Sequence, residues 1–293
     1  MANWLQQWRS LREAGRHVLT MNQRNLGYVY PYNKRRDFPI ANDKLLCKEI
    51  LADVGVPLAT THFSYRYFYE LTNLDADLRS LDDFVIKPSN GSAGNGIVVI
   101  VGREGNEWIG VSGKRYRIED LRRHIADIIF GVFSHDKQDA AIIEQRIVQH
   151  QVINNLFDRG LADVRVILFQ HKPVLTMSRV PTLMSDGKAN LHQGAVGIGL
   201  DLQSGLSYRA MLKGEPITAH PDSGAELIGV QIPFWDEIMQ HSRNIAEAVP
   251  LKYIGIDIAI AAQGPVLLEI NARPGLEIQN VTRSGMRPIL ESL

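Results

Sequence analysis

Apolar and polar residues alternate along this chain with two different periods, which predicts both helices and strands. Apolar residues at helical spacing (Trp4, Leu5, Trp8, Leu11) predict a short amphipathic helix at the N-terminus. A second helix is predicted over 44–54, with Asn42 as its N-cap and Gly55 as its C-terminal stop. Its apolar residues Leu46, Ile50 and Val54 are expected to form a buried stripe.

Short apolar runs bounded by turn residues predict several strands, and two longer segments predict further helices. The strands are FVIKP (84–88), IVVIV (97–101), AAIIEQRI (140–147), VRVILF (164–169), LTMSRV (175–180), YIGIDIAIA (253–261) and PVLLEI (265–270). The helices are expected near 118–130 and 233–248. We therefore expect an α+β fold in three parts: a helix with a basic, aromatic arm (1–41), a small lobe (42–143) and a large lobe (144–293).

Composition and charge narrow the class of protein. The 293 residues are 45% hydrophobic and 22% charged, which is typical of a globular chain, and no apolar run reaches the roughly 18–20 residues of a membrane helix. The absence of a secretory signal and the single cysteine, Cys47, favour the cytoplasm. A formal net charge of zero gives no general attraction to nucleic acid. Residues 1–48, which include the arm, nevertheless hold nine basic and three acidic residues. The basic arm is therefore expected either to dock on the more acidic remainder of the chain or to meet an anionic ligand.

A glycine-rich segment, KPSNGSAGNGI, follows the first predicted strand. Lys87 lies at the strand end and Gly91, Gly94 and Gly96 follow, so backbone N–H groups can converge on an anion next to a lysine. The segment matches neither of the two common phosphate-binding loops, because its order is G-x-x-G-x-G and because it leads into a strand. It is therefore either a phosphate-binding loop of another kind or a plain glycine hairpin.

Three oxygen-bearing side chains are expected to converge in the last two strands. A hairpin centred on Gln263 places Asp257 opposite Glu269, about 4.5–5.5 Å apart at Cβ, and Asn271 projects to the same face. The opposite face, which is expected to be buried, carries Ile256, Ile258, Leu268 and Ile270. Two facing carboxylates repel each other unless a cation lies between them, so the hairpin predicts a divalent metal such as Mg²⁺. The alternative is that both are solvated acids on the surface of an ordinary hairpin.

The motifs KPSNGSAGNGI, IIEQRI, DVRV, YIGIDIAI and LLEINARPG, in this order and spacing, resemble the ATP-grasp superfamily. The similarity is greatest to the α-L-glutamate ligase-like group and to the ATP-grasp proteins associated with sugar transfer. The tract RNLGYVYPYNKRRDFPIANDK also resembles the opening of the ligase-like group, so the resemblance covers roughly residues 22–282. It implies an ATP-grasp fold, in which two α/β lobes clasp the nucleotide.

The resemblance also implies a role for individual positions. Those that would bind the nucleotide are Lys44, Lys87, Gly91, Ser92, Gly94, Gly96, Glu144, Gln145 and Ile147. Those that would face the transferred phosphoryl group and the acyl substrate are Arg165, Arg179, Asn190, His192 and Arg273, although His192 is equally well explained as a polar loop residue. Asp257, Glu269 and Asn271 would bind two Mg²⁺ ions, or Mn²⁺ in their place.

The implied activity is that of an ATP-dependent carboxylate–amine ligase that works through an acyl-phosphate. Its partners would be ATP, an acidic small molecule such as an amino acid, and an amine that is small or belongs to a peptide or protein; homo-oligomerisation is left open. Two alternatives remain: an ATP-binding accessory protein, and a kinase-type phosphotransferase, acting with a sugar-transfer or peptide-modification system. Only about 40 residues precede Lys44, too few for the α/β domain that many family members carry there. The arm is therefore expected either to complete the acyl site, through Arg35 and Arg36, or only to stabilise the body.

Overall fold

A computed structural model describes residues 15–91, 94–134 and 136–293. The predicted helix at Trp4–Leu11 and the candidate nucleotide ligand Ser92 lie outside the described residues. The chain forms two compact units. The small unit comprises residues 42–48 and 57–148, and the large unit comprises 49–56, 149–293 and, within the described part, 15–41. The three-part division with a boundary at Glu144 stays a prediction.

The helices and strands of the described residues are as follows. The α-helices are α1 (Met21–Arg24), α2 (Tyr30–Tyr32), α3 (Pro39–Asn42), α4 (Lys44–Leu51), α5 (Leu74–Leu78), α6 (Ile118–Ile129), α7 (Gln151–Leu156), α8 (Trp235–Ala248), α9 (Ile278–Thr282) and α10 (Met286–Glu291). Short 3₁₀ turns span Arg35–Asp37, Phe68–Asn73 and Leu191–Gln193, and a π-helical turn spans Asn25–Val29. The strands are β1 (Thr61–Tyr65), β2 (Phe84–Pro88), β3 (Val98–Glu104), β4 (Glu107–Gly110), β5 (Arg115–Tyr116), β6 (Ala141–Glu144), β7 (Asp163–Phe169), β8 (Lys172–Val180), β9 (Val196–Leu200), β10 (Ser207–Leu212), β11 (Glu215–Ile217), β12 (Tyr253–Ala261) and β13 (Gly264–Asn271).

The small unit is built on a six-stranded antiparallel sheet in the order β1-β6-β2-β3-β4-β5. Helix α6 packs against this sheet because its apolar residues recur every three or four positions. Its buried residues Leu121, Ile125 and Ile128 join Phe84 and Trp108 in one core. The sheet and α6 thus hold the ends of β2 and β6, where several candidate residues lie.

The large unit is built on a seven-stranded antiparallel sheet in the order β11-β10-β9-β8-β7-β12-β13. Every residue of β7 and β12 is buried, and α8 packs against β7, β8, β12 and β13. The arm contributes Leu19 and Val29 to a core that also contains Ile167, Phe169 and Tyr253, together with residues of α9 and α10. The described part of the arm is therefore docked on the large unit, as one of the two alternatives expected.

The helix predicted over 44–54 forms, but its cap and its buried face differ from the prediction. Asp43 is the capping residue, because its Oδ1 accepts the N–H groups of Leu45 (2.9 Å) and Leu46 (3.2 Å). Asn42 instead ends the preceding helix α3. The buried residues of α4 are Cys47 and Leu51, one helical turn apart, whereas the predicted stripe of Leu46, Ile50 and Val54 is only half-buried.

One strand and one further helix are shorter than predicted. The strand expected over 140–147 ends at Glu144, after which Gln145 donates its N–H to the carbonyl of Thr60 (2.8 Å). Helix α8 begins at Trp235, because Phe234 has a left-handed backbone (φ +58°) that separates it from Pro233. The helices present over residues 15–91, 94–134 and 136–293 include none with the length and apolar character needed to cross a bilayer. The predicted α+β class is confirmed.

Candidate functional site

Four charged side chains meet on one face of the sheet of the large unit. In the ladder of strands, Arg165 on β7 lies opposite Asp257 on β12, and Asp163 on β7 lies opposite Arg179 on β8. Residues two apart on a strand point to the same face, so β7 presents Asp163 and Arg165 side by side. Three neighbouring strands thereby bring two carboxylates and two guanidinium groups together.

The distances show a continuous chain of ion pairs. Arg165 donates from Nε and Nη2 to the two oxygens of Asp257, at 2.7 and 2.6 Å. Arg179 donates from Nε and Nη2 to Asp163, at 2.8 and 2.5 Å, and its Nη2 also lies 2.9 Å from Oδ2 of Asp257. Two-point pairs of this kind fix both the position and the plane of each arginine.

Burial and the neighbouring charges shift the pKa values of this cluster in opposite directions. Burial would raise the pKa of Asp257, but Arg165 and Arg179 outweigh it and hold that pKa below its usual range. Burial raises the pKa of Asp163 to about 6, because Arg179 only partly offsets it. Burial would lower the pKa of Arg179, but Asp163 and Asp257 raise it further above its usual value. The two carboxylates thus share Arg179, and Asp257 is the more firmly ionised of the two.

The predicted pairing of Asp257 with Glu269 across the last hairpin is confirmed. The turn is one residue tighter than expected, since Ala261 pairs with Gly264, and a bulge between Asp257 and Ile258 restores the predicted register. The bulge also changes which residues are buried. Leu268 was expected in the core but is only half-buried, and Leu267 takes the buried position.

The hairpin carries residue types that a divalent metal ion uses as ligands. Asn271 donates from Nδ2 to Oδ2 of Asp257 (3.0 Å) and to Oε1 of Glu269 (3.3 Å), so the three side chains are in contact. Carboxylate and amide oxygens are the ligands that Mg²⁺ prefers, usually one or two carboxylates together with substrate phosphates. Among the described residues, no group of three or more His, Cys, Asp or Glu side chains is arranged to hold a metal ion.

The repulsion expected between Asp257 and Glu269 can be relieved by arginine side chains as well as by a metal ion. Arg165 and Arg179 already supply positive charge at Asp257. With Glu269 included, the cluster holds three carboxyl groups and two guanidinium groups. The carboxyl groups outnumber the guanidinium groups, so the residue types remain suitable for a divalent cation.

A second charged group lies in the small unit. The Glu144 carboxylate is 3% exposed and forms ion pairs with Lys87 and, at 2.7 Å, with Lys48. Burial would raise the pKa of Glu144, but the two lysines outweigh it and lower that pKa. Lys48 also donates to Ala59 O (2.7 Å) and to Thr61 Oγ1 (2.9 Å), so its three N–H bonds all have acceptors. Lys87 shares Glu144 with it but belongs to β2, next to the glycine-rich loop.

Hydrogen bonds fasten the glycine-rich loop at its start. At its start, Asn90 donates from N and Nδ2 to the buried carboxylate of Asp139, at 3.0 and 2.8 Å to Oδ1. Lys44 donates from Nζ to the carbonyls of Gly91 (2.9 Å) and Ser89 (3.4 Å). Beyond the undescribed pair at 92–93, Gly94 and Gly96 have positive φ (+74° and +76°), which glycine adopts without strain.

The other predicted site residues have different surroundings. Asn190 caps the turn at Leu191–Gln193 by accepting the N–H of His192 (3.0 Å), and His192 is exposed. Gln145 is exposed and Ile147 half-buried in the segment that follows β6. Arg273 is exposed, and its guanidinium lies over the ring of Phe38 at 4.9 Å.

Sequence reasoning missed four residues that hold the predicted ones in place. Lys48 pairs with Glu144, and Asp139 accepts from Asn90 at the start of the glycine-rich loop. Asp163 pairs with Arg179, and Asn33 binds the segment after Asn271. A signal was available only for Asp163, because a charged pair two residues apart in an otherwise apolar strand must share one face. The other three act through contacts distant in sequence.

Comparison with known proteins now places this arrangement in a family. The family model of sugar-transfer associated ATP-grasp proteins matches residues 23–293, nearly the whole chain. The chain therefore belongs to the sugar-transfer associated ATP-grasp family. The predicted resemblance and the predicted ATP-grasp fold are both confirmed.

Two curated relatives share low sequence identity with this ATP-grasp protein. It is 23% identical over 249 residues to a probable alpha-L-glutamate ligase of Thioalkalivibrio sulfidiphilus (strain HL-EbGR7), and the match covers 85% of this chain and 61% of the relative. It is 24% identical over 250 residues to a probable alpha-L-glutamate ligase of Trichodesmium erythraeum (strain IMS101), covering 85% and 62%. The chain thus spans about three fifths of the length of these relatives.

A solved structure supports the fold. The crystal structure of a D-alanine–D-alanine ligase from Helicobacter pylori matches with a TM-score of 0.50 and 16% sequence identity, covering 86% of this chain and 60% of that chain. At this level of identity the similarity concerns the fold alone. It agrees with two antiparallel sheets accompanied by helices in an ATP-grasp protein.

Proposed function

We propose that this ATP-grasp protein is an ATP-dependent carboxylate–amine ligase, which forms an amide bond through an acyl-phosphate. The observation that carries the proposal is the cluster on β7, β8, β12 and β13. It combines the oxygen ligands Asp257, Glu269 and Asn271 with the fixed guanidinium groups of Arg165 and Arg179. A site that must bind both a metal–phosphate group and an acyl anion needs both kinds of side chain. The ligase names of the curated relatives agree with it.

The first step would be phosphoryl transfer. An oxygen of the substrate carboxylate attacks the γ-phosphorus of ATP, the bond from that phosphorus to the β–γ bridging oxygen breaks, and ADP leaves. Lys44, Lys87 and the N–H groups of the glycine-rich loop would bind the phosphates. Asp257, Glu269 and Asn271 would hold Mg²⁺, which when bound offsets the phosphate charge. The task of the protein is positioning and charge neutralisation.

The second step would form the amide. The amine nitrogen attacks the carbonyl carbon of the acyl-phosphate, the bond from that carbon to the phosphate oxygen breaks, and inorganic phosphate leaves while the amine loses a proton. An oxyanion develops at the carbonyl oxygen. Arg165 uses Nε and Nη2 for Asp257, so Nη1 is the group that would stabilise this oxyanion, together with Arg273.

The substrates proposed are an acidic small molecule, such as an amino acid, and an amine that is small or part of a peptide. The test is to incubate the protein with ATP, Mg²⁺, L-glutamate and a panel of amines and peptides, and to measure ADP and product mass. ADP together with an amide adduct supports the ligase. ADP with a phosphorylated acceptor would show a kinase-type enzyme, and no ADP with any amine or peptide in the panel would favour an ATP-binding accessory protein. Either result refutes the proposal.

The inactive variant for comparison in this assay is Glu269→Gln, which keeps the shape of the side chain and removes the carboxylate. It should lose ADP formation while its circular dichroism spectrum stays that of the wild type. ADP formation at the wild-type rate in this variant would place the metal elsewhere.

A further inference from the structure

Three successive carbonyl groups directly after β13 are bound by the N-terminal arm. The segment is the β13–α9 loop (272–277), which follows the candidate ligand Asn271 and carries Arg273. Ala272 O accepts from Asn33 at 3.3 Å, and Pro274 O and Arg273 O accept from Arg24 at 2.8 and 3.5 Å. A loop leaving the edge strand β13 has no strand ladder to fix it, so these bonds determine its course.

Asn33 is the centre of this arrangement. Its side chain is 1% exposed and makes four hydrogen bonds: Nδ2 donates to Tyr253 O (2.7 Å) and to Ala272 O, and Oδ1 accepts the N–H groups of Lys252 (2.8 Å) and Tyr253 (3.0 Å). The amide of Asn33 thus uses both of its N–H bonds and both acceptor positions of its oxygen. Together these bonds join the start of β12 to the residue that follows β13. Arg24, also buried, is oriented by Asn25, whose Oδ1 accepts from Nε and Nη2 at 3.1 and 2.9 Å.

The arm also holds the side chain of Arg273. The guanidinium lies 5.5 Å from the ring centre of Tyr30 and 4.9 Å from that of Phe38, so two aromatic rings of the arm attract the same cation. The neighbouring loop residues fit closely against the sheet. A Cβ atom at Gly255, which pairs with Asn271, would lie 2.6 Å from Cβ of Pro274, and one at Gly275 would lie 3.9 Å from Nη1 of Arg165.

We propose that the arm is a positioning element of the site: Arg24 and Asn33 fix the β13–α9 loop, and Tyr30 and Phe38 orient Arg273. The arm therefore acts on catalysis without binding the acyl substrate itself. Arg35 and Arg36, which in one of the two expected alternatives bind that substrate, are exposed, and Arg36 lies 3.6 Å from Asp37 of the same turn. The catalytic part of this inference rests on the proposed ligase function, whereas the part about the loop does not.

The first experiment separates positioning from stability. The double variant Tyr30→Leu/Phe38→Leu keeps apolar bulk but removes both rings from Arg273. The matched control is Tyr32→Leu in the same arm, whose ring packs against Phe169 at 4.8 Å.

In the ADP assay we expect the double variant to lose about tenfold in kcat with KM for ATP unchanged, because a misplaced catalytic group costs turnover more than binding. The control should stay within about twofold of the wild type, as should the conservative variant Tyr30→Phe/Phe38→Tyr, which keeps both rings. Equal losses of kcat in the double variant and the control would overturn the proposal.

The second experiment does not depend on activity. Hydrogen exchange of the backbone amides in the β13–α9 loop should be at least about tenfold faster in Arg24→Met and in Asn33→Ala than in the wild type, and unchanged in Tyr32→Leu. Arg24→Met keeps the aliphatic part of the side chain, so it remains informative if Asn33→Ala does not fold. Unchanged exchange in Arg24→Met would refute the role of the arm. If the wild type forms no ADP, the ligase proposal fails, but this exchange experiment still decides whether the arm fixes the loop.

Discussion

Replacing Arg165 with leucine should strongly destabilise the large unit. Asp257 is 1% exposed and receives two short hydrogen bonds from Arg165, at 2.7 and 2.6 Å. Removal of one partner from a buried ion pair costs about 3–5 kcal/mol, because the remaining charge is left uncompensated. Arg179 still contacts Asp257 at 2.9 Å, although it also serves Asp163, so we expect the lower value, about 3 kcal/mol. For a unit of this size, that loss lowers Tm by roughly 6–12 °C.

The same reasoning predicts a recovery. In Arg165→Leu/Asp257→Leu both charges are gone, and a buried pair replaced by apolar residues is often neutral for stability. The double variant should therefore regain most of the 3 kcal/mol or so that the single variant loses. The assay is urea unfolding followed by tryptophan fluorescence, with calorimetry for Tm. The matched control is Arg287→Leu, whose exposed pair with Glu291 at 2.8 Å should contribute little, because solvent screens it. The reasoning is refuted if Arg165→Leu behaves like this control, or if the double variant is no more stable than the single one.

Three further predictions concern the metal, the pH response and the loop. Glu269→Gln should abolish the Mg²⁺-dependent protection of the hairpin amides of β12 and β13 in hydrogen exchange; retained protection would exclude Glu269 as a ligand. The pKa of Glu144 is lowered in the folded state because its two lysines outweigh burial, so its contribution is present above its unfolded pKa and lost as pH falls through its folded pKa. Wild type should therefore lose stability relative to Glu144→Gln as pH falls below about 4.5, and parallel stability curves would contradict this. Gly96→Ala forces a residue with φ +76° to carry a Cβ within 2.7 Å of Phe133, and should cost about 1–2 kcal/mol, whereas Gly102→Ala, with open space around it, should cost less in the same unfolding assay.

The part of the site that could be predicted from the sequence is local. Asp257 and Glu269 belong to consecutive strands joined by a tight turn, so alternation along each strand was enough to place them opposite each other. This prediction of the pairing was correct only because of the bulge. Without the bulge, the tighter turn would have shifted Glu269 by one residue and turned its side chain to the other face of the sheet. The local pattern does not reveal such a bulge, and the wrong expectation for Leu268 follows from it.

The part that could not be predicted depends on which strands are neighbours. Arg165 lies 92 residues from Asp257, and Arg179 lies 78 residues from it, so their pairing requires the order β8-β7-β12. Periodicity assigns a residue to a face but does not assign a strand to a position in the sheet. The bond from Asn33 to Ala272 spans 239 residues and starts from a tract without a regular pattern, so the role of the arm became visible only in the structure.

The support given to each candidate residue follows from where it lies in the fold. Arg165, Arg179 and Asp257 stand on strands buried in the middle of a sheet, where ladder bonds and two-point ion pairs already fix them. A buried ionic cluster adds little stability compared with apolar residues of similar volume, so its presence is better explained by a need for preorganised charge. Arg273, in contrast, lies two residues beyond the end of the edge strand β13 and has no ladder to hold it. The hydrogen bonds and aromatic rings of the arm fix the position of Arg273, as the sheet fixes the positions of Arg165 and Arg179. For that reason, a change in the arm should affect turnover through Arg273 before it affects the buried cluster.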